Sequence, residues 1–298
     1  MKCSIVILNW NGAGMLRQFL PSVVAHSKGS DYEVVVADNG STDDSLEALK
    51  EFPTVRVITF DKNYGFAEGY NRALEQVDAE YTVLLNSDVE VTEGWLTPVL
   101  AYMDIHRNVV AAQPKIRSYR QRERFEYAGA AGGFINPLGY PYCIGRKWGK
   151  TEVDTGQYDT IREIEWASGC ALFVRTREYK KVGGLDASFF AHQEEIDLCW
   201  RLRNKGYKIV CVPASVIYHV GGGALAYENP RKTFLNFRNN LLMLHKNLPK
   251  SKLWFVMSAR FVLDYVAAAY YLLQGKAKNA KAVIDARKAY HEMKKAYK

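Results

Sequence analysis

The sequence predicts an α/β protein whose first half is a parallel, doubly wound βα assembly. Two observations carry this expectation. Four short apolar runs, at Ser4–Gly12, Glu33–Ala37, Val55–Phe60 and Val83–Leu85, lead into polar residues, and the first three pass on into helix-compatible stretches. With 298 residues, 48% of them hydrophobic, the chain can also bury a large core and is not expected to be disordered.

The first strand ends in Asn9-Trp10-Asn11-Gly12, and Met15, Leu16, Phe19, Leu20 and Val23 give the next stretch helical periodicity to about Ala25. The second strand ends in Asp38-Asn39-Gly40, with Ser41 or Thr42 as the expected cap of a helix through Leu46 and Leu49. The third leads into a helix over Asn63–Leu74. The fourth, Val83–Leu85, stops at Asn86-Ser87-Asp88. It therefore places Asp88 and Glu90 beyond a strand's carboxyl end, where open α/β sheets bind ligands and where hard-metal chemistry is at home. Asn-Ser-Asp is equally ordinary turn composition.

The second half is less regular. A strand is expected at Val109–Ile116, and the Gly-, Tyr- and Arg-rich stretch from Ser118 to Arg162 reads as a long functional or mobile loop. Ala171–Val174 reads as a strand, Glu195–Asn204 as a helix ended by Gly206, and Tyr207–Val212 as a strand. Helices fill Pro230–His245, Lys252–Leu273 and Ala277–Ala296. The expected division is an α/β domain over 1–248 and a basic, amphipathic helical tail over 249–298.

Charge is unevenly placed. Of the net +8, essentially all lies in the tail, where twelve Lys and Arg from Lys246 onward face only Asp264, Asp285 and Glu292. Such a tail suits anionic lipid or nucleic acid. The five cysteines form no C-x-x-C pair, which favours reduced thiols over zinc or disulfides, and Asn9 and Asn11 cut the first apolar run too early for a signal peptide. A cytoplasmic protein is expected.

The ordered segments NWN, ADNGSTD, NYGFAEGYN, LLNSDVEV, ASGCALFVR, GGLDASFF, QEEIDLCWR and HVGGG resemble the family-2 inverting glycosyltransferases, most nearly the bacterial rhamnosyl- and galactofuranosyltransferase subgroup. The resemblance runs from about Ser4 to Leu248. It implies the GT-A fold (Rossmann-like, with a mostly parallel central sheet), a nucleotide-sugar donor and a divalent cation, Mn²⁺ or Mg²⁺.

Carried over residue by residue, the resemblance places Trp10 against the nucleobase and Asp38 and Asn39 on base and ribose; Asn11, Asn63, Gly65 and Asn86 join the donor site. Core packing is the alternative for Trp10. Asp88 matches the last residue of the family's D-x-D metal motif, whose first Asp is Asn86 here. His219 matches a metal-ligating histidine of some members, and an imidazole suits Mn²⁺ better than Mg²⁺. A strand-end histidine bonded to backbone is the alternative. Glu194 and Glu195 match the family's acidic pair, with Glu195 as general base where the usual residue is Asp. Acids at a helix N-terminus also serve capping, and Asp197 with Arg201 at i, i+4 reads as a structural pair. Gly132, Gly133 and Phe134 fall where the family lines the sugar and acceptor pocket. Arg238 and Asn239 fall in a recurrent Arg-Asn segment, with packing favoured over phosphate contact.

The reading is transfer of a sugar from a UDP- or dTDP-linked donor to a hydroxyl of a lipid-linked or envelope glycan, without nucleic acid. Its rivals are a sugar nucleotidyltransferase, whose N-terminal Gly-rich basic loop is missing from SIVILNWNG, and a non-catalytic carbohydrate- or membrane-binding module. Leu253–Leu273 approaches the ~20 residues that span a bilayer, yet Arg260 and Asp264 interrupt it. A helix lying on an anionic surface at the cytoplasmic face of the plasma membrane is therefore expected, with a core or homodimer helix as the alternative.

Overall fold

The computed structural model describes residues 1–147, 149–221 and 229–297. The chain begins β1 (Cys3–Asn9), α1 (Ala13–His26), β2 (Tyr32–Asp38), α2 (Ser45–Leu49), β3 (Arg56–Thr59), α3 (Gly65–Glu75) and β4 (Tyr81–Leu85). These strands pair in parallel in the order β3-β2-β1-β4, as the repeated βα pattern implies. Alternate residues of the central strands face opposite sides. Val6 and Leu84 enter one core, while Ile5, Ile7, Val83 and Leu85 enter the other, which is why these strands read as unbroken apolar runs.

The sheet continues through β5 (Val89–Val91), α4 (Leu96–Ile105) and β6 (Val109–Ser118). The stretch expected to be one long loop holds the hairpin β7 (Gly133–Ile135) and β8 (Pro141–Cys143), the ribbon β9 (Arg146–Lys147) and β10 (Lys150–Thr151), and the edge strand β11 (Arg162–Ile164). Strands of two or three residues are too short to display an alternation. Then come β12 (Ala171–Arg175), α5 (Thr176–Lys181), α6 (Glu194–Asn204) and β13 (Lys208–His219). The nine-stranded sheet is mixed: β12 lies antiparallel between β4 and β6, and β13 runs parallel to β6. β13 is seven residues longer than its expected end at Val212, because a bulge between Val212 and Val216 absorbs Pro213 and the strand resumes against β5 and β6. That extension carries His219 to the ligand edge.

One cap differs from expectation. α2 opens at Ser45, whose N–H donates to Asp43 Oδ1 at 3.1 Å, whereas the Ser41 and Thr42 amides already donate to Asp38 and Asn11. The loop's own hydrogen bonds delay the helix.

The C-terminal segment forms α7 (Pro230–Asn247), α8 (Lys250–Leu273) and α9 (Ala277–Met293). α9 packs along α7, and Tyr290 enters the main core. In α8 only Val256, Arg260, Asp264 and Ala268 are buried, an i, i+4 stripe turned towards the protein. Arg260 pairs with Asp264 and donates to Asn240 of α7, and Arg287 of α9 donates to Asp264. All five cysteines are free and buried.

Candidate active site

The carboxyl ends of β1 and β2 are tied together by side chains. Asn9 Nδ2 donates to Asp38 Oδ2 at 3.0 Å, and Asn11, left-handed at φ 49°, accepts the Thr42 N–H at 2.7 Å. Trp10 between them is 56% exposed, so core packing is ruled out and its ring is open for stacking. Asn39 departs from expectation. Its amide donates to Asn63 Oδ1 and the Gly65 carbonyl, and its carbonyl accepts the Tyr64 N–H, so the side chain is spent on shaping the loop and does not reach out to a base or ribose. Asn63 Oδ1 also accepts the Gly65 N–H at 2.7 Å. Gly65, at φ +80°, lies against the Phe190 ring, 3.0 Å from where a Cβ would stand, which only glycine permits without strain. Asn9 carries a signal not singled out in the sequence: its Oδ1 is buried with no hydrogen-bond partner among the described residues.

Beside this rim, the turn after β4 meets the end of β13. His219 Nε2 lies 3.1 Å from Asp88 Oδ1 and 3.5 Å from Asn86 Nδ2. Burial works against ionisation of both partners, but their mutual contact wins: the Asp88 carboxyl is held below its usual range, and the imidazole, with Cys170, Asp88 and Glu126 around it, is raised well above its own. Glu126 approaches the other ring nitrogen at 3.6 Å and also accepts the Ala128 N–H. At that separation the carboxylate acts on the ring through its charge, and Nδ1 has no hydrogen-bond partner among the described residues. Glu126 was not legible in the sequence, because it sits in an aperiodic stretch and meets His219 only in the fold. Glu90, by contrast, is taken up by a two-pronged pair with Arg122 at 2.8 and 2.9 Å and points away from metal chemistry. Among the described residues no cluster of three or more His, Cys, Asp or Glu surrounds one point. The donor set nevertheless fits a divalent cation that displaces the imidazole proton: one carboxylate oxygen and one imidazole nitrogen converge, with an amide alongside, leaving positions for phosphate oxygens and water, as Mg²⁺ and Mn²⁺ sites commonly do. Gly222 and Gly223 of the HVGGG segment lie outside the described residues.

The acidic pair opens α6. Phe190, His192 and Gln193 hold left-handed backbone angles, φ 63°, 72° and 71°, immediately before Glu194. Glu194 is buried, with one carboxylate oxygen unpartnered, and burial together with Glu195 and Asp197 pushes its carboxyl well up. Glu195 is half-buried. Burial raises its carboxyl to about 7 against the opposing pull of backbone N–H groups at the helix start and at Gly169. The neighbouring Cys170 carbonyl accepts the Asn86 N–H at 3.0 Å, so one short segment, Gly169–Cys170, separates the acidic pair from the Asp88–His219 pair. Asp197 is structural, bound by Arg201 as expected and by Lys246 and Asn247 besides. Opposite, Gly133 lies flat on Trp166, and Phe134 stacks with the exposed Tyr142 at 5.8 Å. Arg238 and Asn239 do more than pack, since both donate to carbonyls of the loop before α6.

The sequence profile described as Glycosyl transferase family 2 matches residues 4–163. An N-acetylglucosaminyl-diphospho-decaprenol L-rhamnosyltransferase of Mycobacterium tuberculosis is 27% identical over 231 residues, 72% of this chain and 75% of that protein. Among solved structures, S. aureus TarS in complex with UDP-GlcNAc aligns with a TM-score of 0.62 at 17% identity, over 96% of this chain and 79% of that one. The mannosyltransferase PcManGT of Pyrobaculum calidifontis, in complex with GDP-Man and Mn²⁺, aligns with a TM-score of 0.60 at 14% identity, over 97% and 86%. These likenesses give the fold as GT-A.

Proposed function

The chain belongs to glycosyl transferase family 2, and we propose that it transfers a sugar, with inversion, from a pyrimidine nucleotide donor to a hydroxyl of a lipid-linked glycan. The observation that carries the proposal is the convergence on one sheet edge of an exposed aromatic ring, a carboxylate–imidazole pair and, across Gly169–Cys170, a carboxylate raised to about 7. Trp10 stacks on the base, at a rim that the buried Asp38 holds in shape by accepting from Asn9 and the Ser41 N–H. Asp88 and His219, with Asn86 beside them, would hold the divalent cation, which supplies neutralising charge at the departing diphosphate. Glu195 takes the proton of the attacking hydroxyl, and a base near pH 7 is matched to that task. The M. tuberculosis relative, named for an acceptor carried on diphospho-decaprenol, supports the acceptor class.

The outer face of α8 supports a place on a membrane. With Arg260 and Asp264 turned inward, Phe255, Val262, Val266 and Leu273 form one exposed stripe and Trp254, Phe261, Tyr265 and Leu272 its neighbour, with Lys250, Lys252, Lys276, Lys278 and Lys281 at the ends. Apolar side chains flanked by lysines suit the boundary of an anionic leaflet. By length and composition α8 is the one helix among the described residues able to cross a bilayer, but its inward stripe holds it on α7 and α9. The enzyme then works at the cytoplasmic face, beside its acceptor.

The test is turnover of UDP- and dTDP-sugars with and without Mn²⁺. Turnover is expected to vanish in excess chelator, return with Mn²⁺, and stay absent in Asp88→Ala while nucleotide still binds. Full turnover in chelator would overturn the metal role, and no turnover of any nucleotide sugar would favour a non-catalytic module.

A further inference from the structure

The loop that delivers the acidic pair is held from outside. Three non-glycine residues, Phe190, His192 and Gln193, stand in the left-handed region within four positions, a costly arrangement that persists only where the surroundings impose it. The imposition comes from α7. Asn239, with no exposed surface, directs its Nδ2 at three carbonyls of this loop, donating to Phe189 O at 3.0 Å, Ala191 O at 2.8 Å and His192 O at 2.8 Å. Arg238 Nη2 donates to Ser188 O and Phe189 O at 3.1 and 2.9 Å, while its Nε donates to Asn239 Oδ1 and so orients the amide. Asn240 Nδ2 donates to Gln193 Oε1 at 3.1 Å, and Gln193 Nε2 donates to Asn236 O at 3.0 Å. The five contacts fall on four carbonyls, and three of these, Ser188 O, Ala191 O and His192 O, accept no backbone N–H among the described residues, so the side chains of α7 are what satisfies them.

We propose that Asn239, oriented by Arg238, is a positioning residue for the sugar-transfer reaction, fixing the left-handed run Phe190–Gln193 so that α6 begins with Glu195 aimed at the acceptor hydroxyl. The proposal rests on the reading of Glu195 as base. Glu195 makes no contact with Asn239; the influence passes through the backbone of residues 189–193. Trp10, Asp38 and Asp88 stand at the ends of β1 and β2 and in the turn after β4, and the clamped loop meets the donor side only at Gly65 and Phe66, through Phe190, so loss of the clamp acts chiefly on the base, where displacement by about 1 Å is worth about 100-fold in rate.

The test is Asn239→Asp in the full chain, which keeps the shape and the acceptor for Arg238 but removes both donors. The expected result is a fall in kcat of about 100-fold with donor KM and UDP affinity unchanged, and faster amide hydrogen exchange confined to residues 188–195. Unchanged kcat, or a loss of UDP affinity in step with kcat, overturns the proposal. If Asn239→Asp does not fold, Arg238→Met removes two of the carbonyl contacts and is expected to show the same split at smaller amplitude; unchanged kcat there overturns it equally. Glu195→Gln is measured beside them. Wild-type kcat in Glu195→Gln strikes the base assignment alone, whereas an impaired Glu195→Gln with a wild-type Asn239→Asp strikes the clamp alone.

Discussion

Glu194 and Glu195 are neighbours in sequence with different surroundings, and the difference assigns their tasks. Glu194 is buried with one oxygen unpartnered, and a single backbone N–H opposes the cost of its charge; Glu195 is half-buried and receives several backbone N–H groups at the helix start. A base must be reachable and ionised, which selects Glu195. Glu195→Gln is expected to lower kcat by roughly two to four decades with donor KM unchanged, and the acidic limb of the wild-type kcat profile to fall near pH 7. A limb near the ordinary carboxylate range would count against Glu195. Stability carries the opposite sign. Both carboxyls lie above their unfolded values, so the fold favours the protonated forms: the stability they contribute is complete below the unfolded pKa of about 4.3 and is lost as pH rises through the folded one, about 7 for Glu195. Glu194→Gln, neutral at every pH, should therefore raise the melting temperature more at pH 8 than at pH 5. Equal shifts at both would show that Glu194 is not strained by its charge.

Elements show why some of the site could be read from the sequence and some could not. β1, β2 and β4 declare themselves because buried strands are continuous apolar runs and their ends are abrupt, so Trp10, Asp38 and Asp88 stand out as the first residues past the core. His219 was placed by resemblance, but the bulge that carries β13 to it was hidden by Pro213. Glu126 and the clamp at Asn239 were illegible for another reason: their partners are backbone carbonyls or side chains 47 to 93 positions away, and no local periodicity encodes them. Helix α8 combines both cases. Its length and lysine flanks are visible in the chain, whereas the inward turn of Arg260 and Asp264 is not. With that turn known, the exposed stripes define a test. Trp254→Ser with Phe255→Ser is expected to weaken co-sedimentation with anionic liposomes by about 100-fold or more, since each large apolar side chain fully buried is worth about 1.5–3 kcal/mol, while secondary structure by circular dichroism is unchanged. Binding should fall with salt and be weak on neutral vesicles. Equal recovery in the supernatant for both lipids would instead point to a second copy of the chain as occupant, which light scattering would reveal.

At the scale of the whole molecule, the expected boundary at residue 248 falls in the short connection between α7 and α8, yet the segment beyond it is built into the body. Tyr290 enters the main core, Tyr297 donates to Asp186, and Asp264 is shared between Arg260 and Arg287, with Arg260 continuing to Asn240 and thence to Gln193 beside the acidic pair. A buried charge pair contributes little net stability when intact, but removing one partner strands the other and costs about 3–5 kcal/mol. Arg260→Met leaves Asp264 buried with Arg287 alone and leaves Asn240 without its donor. The expected outcome is a fall in stability smaller than that, because Asp264 keeps Arg287, seen as one cooperative transition for the entire chain rather than early melting of a separate tail, together with reduced kcat because the chain of contacts ends at the catalytic loop. Asp264→Leu, which leaves both Arg260 and Arg287 buried without their shared carboxylate, should cost more than Arg260→Met. Two resolved calorimetric transitions in the wild-type protein, the smaller one alone moved by Arg260→Met and kcat untouched, would instead make 249–298 an independent appendage.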